Sequence, residues 1–124
     1  MNELVAAQLE QVQDAYGAEI ERYPDGVVLV SSVFALPPGW NKSQTKIWVV
    51  VPVGYPVAKP DCFWTEPDLR LQSGSMPNNT GNTRLPHHNE PLLWFSWHAT
   101  KWNPNKDTLL TYLRLVEARL RDVR

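Results

Sequence analysis

Apolar residues recur at helical spacing from Asn2 to about Tyr16, at Val5, Leu9, Val12 and Tyr16, and Gly17 stands where helices commonly stop. The pattern predicts an amphipathic N-terminal helix. Glu19–Tyr23 and Val27–Leu36 then flank Pro24-Asp25-Gly26, a turn sequence in which glycine supplies the permissive backbone, and predict a hairpin. Pro37-Pro38-Gly39-Trp40-Asn41 interrupts the pattern. Thr45–Val53 resumes it with Ile47-Trp48-Val49-Val50-Val51, the strongest strand signal in the chain and the one expected to lie centrally.

Gly54-Tyr55-Pro56 and Lys59-Pro60 bar regular pairing because proline lacks an amide hydrogen, after which Cys62–Thr65 predicts a short fourth strand. Pro67–Pro91 shows little periodicity and is rich in turn formers; a loop of that length in a compact domain is usually functional or mobile. Leu92-Leu93-Trp94-Phe95-Ser96-Trp97 is apolar but too short for its period to separate strand from turn. Asp107 is the expected N-cap of a last helix over Thr108–Asp122, with Leu109, Leu110, Leu113, Val116 and Leu120 on one face and Glu117 and Arg121 paired at i,i+4. The fold class is therefore α+β: one domain over residues 1–124, with two helices covering a face of a four-stranded antiparallel meander. Trp48 and Trp64 are expected to pack the sheet against the helices. Trp94, Trp97 and Trp102 are expected to fill the space between the long loop and the last helix.

Composition narrows the partners. The chain has 124 residues, 43% hydrophobic and 20% charged, enough to bury one core without a metal or disulfide. A net charge of -1 with scattered Lys and Arg leaves no basic stripe for a nucleic acid. No apolar run reaches the roughly 20 residues that span a bilayer, and no basic-then-apolar leader opens the chain, so no membrane association and a cytoplasmic location are expected. The single Cys62 forms no internal disulfide. His87, His88, His98 and Glu90 are potential metal ligands, yet adjacent histidines rarely reach one ion and no HExxH-like spacing exists. No cofactor is implied.

Tyr55-Pro56-Val57-Ala58-Lys59-Pro60-Asp61-Cys62-Phe63, followed by Trp102-Asn103-Pro104 and an amphipathic helix, resembles the core of the ubiquitin-conjugating enzyme fold. Pro60, Phe63, Pro67, Leu69, Leu71, Gly74, Trp94, Ser96, His98, Trp102, Pro104, Asp107 and Leu110 stand as in a bacterial branch, prokaryotic family E of these enzymes. The resemblance covers roughly Asn2 to Leu120. It implies acceptance of a ubiquitin-like modifier from an activating (adenylating) enzyme and its attachment to a target, with the N-terminal helix and the loop after the third strand meeting the partners. Glu3, Gln8, Gln11 and Asp14 are then contact candidates, although a solvated helix face is the commoner reason for such residues.

Acyl carriers need a nucleophile, donors for the oxyanion and a route for the proton. Ordinary members of the fold place a Cys a few residues before the Trp-…-Pro motif and a His-Pro-Asn upstream. No cysteine stands in that region here. Ser96 is nearest in position, and its hydroxyl needs a base in reach; His98 is the candidate, since residues i and i+2 share a face in an extended segment. Ser96 as a small turn residue and His98 as a packing histidine remain the alternative. Cys62 is intrinsically the better nucleophile, but a strand cysteine is most often a small buried hydrophobe, and alternation with Phe63 leaves its face open. His87-His88-Asn89 looks like a degraded His-Pro-Asn, which makes Asn89 a candidate oxyanion donor without the proline that would fix it. Two functions of different class follow: an acyl carrier using Ser96, His98 and Asn89, or an inactive variant of the fold that only binds or presents a ubiquitin-like protein or a partner subunit.

Overall fold

A computed structural model describes residues 3–124, with every side chain except that of Ser32. The elements are α1 (Glu3–Tyr16), β1 (Ala18–Tyr23), β2 (Gly26–Ala35), β3 (Gln44–Pro52), β4 (Phe63–Thr65), β5 (Thr80–Gly81), β6 (Leu93–Phe95) and α2 (Leu109–Arg121). The expected helix start at Asn2 lies outside the described residues. Gly17 ends α1 at φ +63, and its N–H donates to the Gln13 carbonyl at 2.9 Å, a left-handed cap that a side chain would strain. The N-cap of α2 is Thr108, not Asp107. The Thr108 hydroxyl accepts from the Thr111 N–H while the Thr111 hydroxyl accepts from the Thr108 N–H. The Asp107 carboxylate instead closes the preceding turn by accepting from the Asn103 N–H at 2.8 Å.

The expected meander holds for β1 to β4, but the sheet has six strands in the order β1-β2-β3-β4-β6-β5, every neighbouring pair antiparallel. The two added strands come from the segments without a clear period. On the inner face Leu29, Ile47, Val49, Val51, Phe63 and Phe95 meet Val5, Leu9 and Val12 of α1 and Leu109, Leu113, Val116 and Leu120 of α2. Alternation then puts Val28, Trp48 and Trp64 on the other face, where Leu85 covers them. Trp48 and Trp64 thus pack under the long loop rather than against the helices, because Ile47 and Val49 already occupy the helix side.

Two histidines fasten that loop over the outer face. His87 Nε2 lies 2.7 Å from Asp25 Oδ1, its ring stacked on Tyr23 at 4.2 Å, and His88 Nε2 lies 3.1 Å from Glu21 Oε1. Between the helices, Gln8 is 5% exposed, and its Oε1 accepts from the Tyr55 hydroxyl and from the Leu109 N–H. It supplies an acceptor to the start of α2 and is no contact candidate, whereas Glu3, Gln11 and Asp14 are exposed. Among the described residues no helix is long and apolar enough to cross a membrane.

Candidate functional site

Two irregular segments meet at one end of β4 and β6. The first descends from the cis Tyr55–Pro56 peptide through Pro60 to Asp61, and the second continues β6 through Ser96, Trp97 and His98. Three contacts lace them. The Trp102 indole N–H donates to the Pro56 carbonyl at 2.8 Å, Lys59 Nζ donates to the Ala99 carbonyl at 2.7 Å, and His98 Nδ1 lies 2.7 Å from Asp61 Oδ1. From beneath, the buried Tyr112 hydroxyl donates to the Trp97 carbonyl at 3.0 Å. Burial raises the Tyr112 pKa, with Cys62 and Asp61 adding to the rise, so this hydroxyl stays a donor at any physiological pH.

The other side of the second segment is held by the long loop. The Ser96 N–H donates to the Asn79 carbonyl at 2.8 Å, and Asn78 is fixed from both ends: its carbonyl accepts from Arg119 Nη2 at 2.9 Å and its N–H donates to the Arg124 carbonyl at 3.3 Å. Arg119, 1% exposed, also donates to the Asp122 and Arg124 carbonyls and lies over the Phe95 and Trp97 rings at 5.3 and 5.5 Å.

Within this frame Ser96 Oγ stands 3.3 Å from His98 Nε2. The extended path past β6 places residues i and i+2 on one side, as alternation requires, while Trp97 between them packs against the inner core. Asp61 completes a line from carboxylate through imidazole to hydroxyl. A carboxylate on Nδ1 favours the tautomer with the proton on that nitrogen and leaves Nε2 to accept from the serine, the logic of a Ser-His-Asp triad. The line is open to water, with side-chain exposures of 48% for His98 and 69% for Asp61. Screening therefore limits the charge–charge attraction, and the main service of Asp61 is to fix the ring.

Cys62 precedes β4. Phe63–Phe95 is the last pair of the β4–β6 ladder, and Cys62 and Ser96 are the residues at which the two strands leave it. Phe63 takes the inner core, which leaves Cys62 half-buried on the outer face. Burial pushes the Cys62 thiol up; the nearby Trp94 indole N–H opposes the rise without completing a hydrogen bond, and the Asp61 charge adds to it. A raised pKa means less thiolate at a given pH. Iodoacetamide at pH 8 is accordingly expected to alkylate Cys62 at least about tenfold more slowly in the folded protein than in guanidinium, followed by intact mass.

Asn89 is not brought to Ser96. Its neighbour His88 is bonded to Glu21 on β1, and β2, β3 and β4 lie between that strand and β6. The Asn89 carbonyl accepts from Arg84 Nη1 at 3.1 Å, and His87 takes φ +66 at the bend that the missing proline would have shaped otherwise. Among the described residues no three His, Cys, Asp or Glu side chains are grouped to hold a metal ion. Asp61 is the residue that sequence reasoning left without a role. Its signal was its place immediately before the β4 segment, legible only once β4 is known to pair with β6.

Comparison with known proteins gives one family. No curated protein and no solved structure matches the chain. The model of prokaryotic E2 family E matches residues 7–123, which takes in all of α1 but its first turn, the strands and α2, and the chain belongs to that family.

Proposed function

We propose that the protein accepts a ubiquitin-like modifier from an activating enzyme as an ester on Ser96 Oγ and passes it to an amine of a target. Family membership ties the chain to ubiquitin-like conjugation in coarse terms. The observation that carries the finer reading is the 3.3 Å approach of Ser96 Oγ to His98 Nε2, with Asp61 behind the imidazole. Ser96 Oγ attacks the modifier's C-terminal carbonyl as its proton moves to His98 Nε2, and that proton leaves with the activating enzyme's departing group. The incoming amine then attacks the ester, His98 Nε2 takes the amine's proton, and the Ser96 oxygen departs with that proton as the amide forms.

Mass spectrometry of the protein mixed with the activating enzyme, ATP and the modifier tests this. The expected adduct resists thiol reductant, yields to hydroxylamine and is lost in Ser96→Ala but kept in Cys62→Ala. A reductant-sensitive adduct lost in Cys62→Ala would move the nucleophile to β4 and overturn the serine reading. The separation of Asn89 from Ser96 favours a second reading, a variant that only binds or presents the modifier, since the oxyanion donor implied by the resemblance is then missing. No adduct with any variant, with the activating enzyme shown to be charged, would support it.

A further inference from the structure

We propose that the Asp61–His98–Ser96 line is a serine-hydrolase-type centre that takes acyl groups from activated carboxylic esters and passes them to water. The inference rests on the same Ser96–His98 pair as the carrier reading but needs neither modifier nor activating enzyme.

Three observations lead to it. The chain of contacts is complete, 2.7 Å from Asp61 Oδ1 to His98 Nδ1 and 3.3 Å from His98 Nε2 to Ser96 Oγ, and joins residues from two separate segments that Lys59 and Trp102 hold together. The imidazole is half exposed, so water reaches the atom that must deprotonate it, and an acyl group on Ser96 is open to hydrolysis. The backbone N–H groups of Trp97 and His98 donate to no backbone carbonyl among the described residues, and because successive N–H groups point opposite ways in an extended segment, one of the two is left to face the oxyanion at Ser96.

The step balances without a further reagent. Ser96 Oγ bonds to the ester carbonyl carbon and its proton passes to His98 Nε2; the alkoxide departs with that proton as the free alcohol. Water then attacks the acyl-serine, His98 Nε2 takes its proton, the carbonyl–Oγ bond breaks, and the proton returns to Ser96 as the carboxylic acid leaves. Asp61 is a positioning residue that acts through the His98 ring.

The test uses the purified full chain with a fluorophosphonate probe and with p-nitrophenyl acetate. Expected are probe mass on Ser96 by peptide fragmentation and an ester turnover at least about tenfold lower in Ser96→Ala and in His98→Ala, a modest share of what general-base catalysis supplies. Asp61→Asn is expected to lower kcat with KM unchanged, and Asp61→Glu to recover part of it, a split that a merely structural contact would not produce. Circular dichroism of each variant checks folding. Turnover equal in wild type and Ser96→Ala, or probe found only on other residues, would overturn the proposal. The carrier reading fails separately: a modifier ester on Ser96 without probe labelling removes the hydrolase and leaves the carrier, whereas labelling without a modifier ester does the reverse.

Discussion

Arg119→Ala is expected to lower the unfolding free energy by about 3–5 kcal/mol, read as a fall in the urea midpoint with little change in slope. The guanidinium is buried without a carboxylate side chain paired to it among the described residues; its partners are the carbonyls of Asn78, Asp122 and Arg124 and the faces of Phe95 and Trp97. Burial lowers the Arg119 pKa, and Arg124 lowers it further, yet an arginine keeps its charge. Removing it leaves the Asn78 and Asp122 carbonyls without this donor, leaves the Arg124 carbonyl with only the Asn78 N–H, and opens a void under the long loop. Arg119→Lys should recover less than half of the loss, because a point charge cannot reach three carbonyls as a planar fork does. A lysine variant as stable as wild type would show that charge alone, not fork geometry, holds this corner. Since Asn79 holds the Ser96 N–H, Arg119→Ala is also expected to reduce any ester formed on Ser96.

Phe95→Ala should cost a similar amount, about 3–5 kcal/mol, and for a different reason. Phe95 is fully buried and stacks on Phe63 across β4 and β6 with ring centroids 4.7 Å apart. Truncation removes that contact, leaves a cavity between the sheet and α2, and takes one aromatic face from Arg119. Phe95→Leu, which refills much of the volume, is expected to lose less than half as much. Because the two sites touch, the Phe95→Ala/Arg119→Ala double variant should be more stable than the sum of the single losses by at least about 0.5 kcal/mol. Strict additivity in the denaturation data would refute the coupling.

The helices, the hairpin and β3 were legible because each buries one face at a regular period. β6 was not, since Leu93 and Phe95 enter the inner core while Trp94 packs on the outer face, so both sides of the strand are apolar and alternation vanishes. β5 is only Thr80–Gly81 in a polar loop and has no apolar signature at all. Trp48 and Trp64 were expected against the helices because a sheet with one covered face offers large apolar side chains one place to pack; Leu85 covers the second face and takes them. At the site, the Ser96 and His98 pairing was local and readable at a spacing of two. Asp61 comes from far along the chain, and its contact depends on a strand pairing that no local pattern encodes. The place of Asn89 was illegible for a related reason: its distance along the chain suggested proximity to Ser96, while His88 and His87 bind their segment to the hairpin.

The fastening of Asn78 to Arg124 has a practical consequence for protein chemistry. The Arg124 carbonyl is bound by the Asn78 N–H and by Arg119, and the Arg124 guanidinium lies 5.9 Å from the Trp97 ring, one residue from Ser96. The chain at Arg124 is therefore linked to the Ser96 backbone by two hydrogen bonds, through Asn78 and Asn79. A lysine on a short flexible fusion there meets Ser96 at an effective concentration on the order of millimolar. If Ser96 carries the ester proposed above, such a lysine becomes a built-in acceptor, which a lysine-free fusion at the same place would not supply.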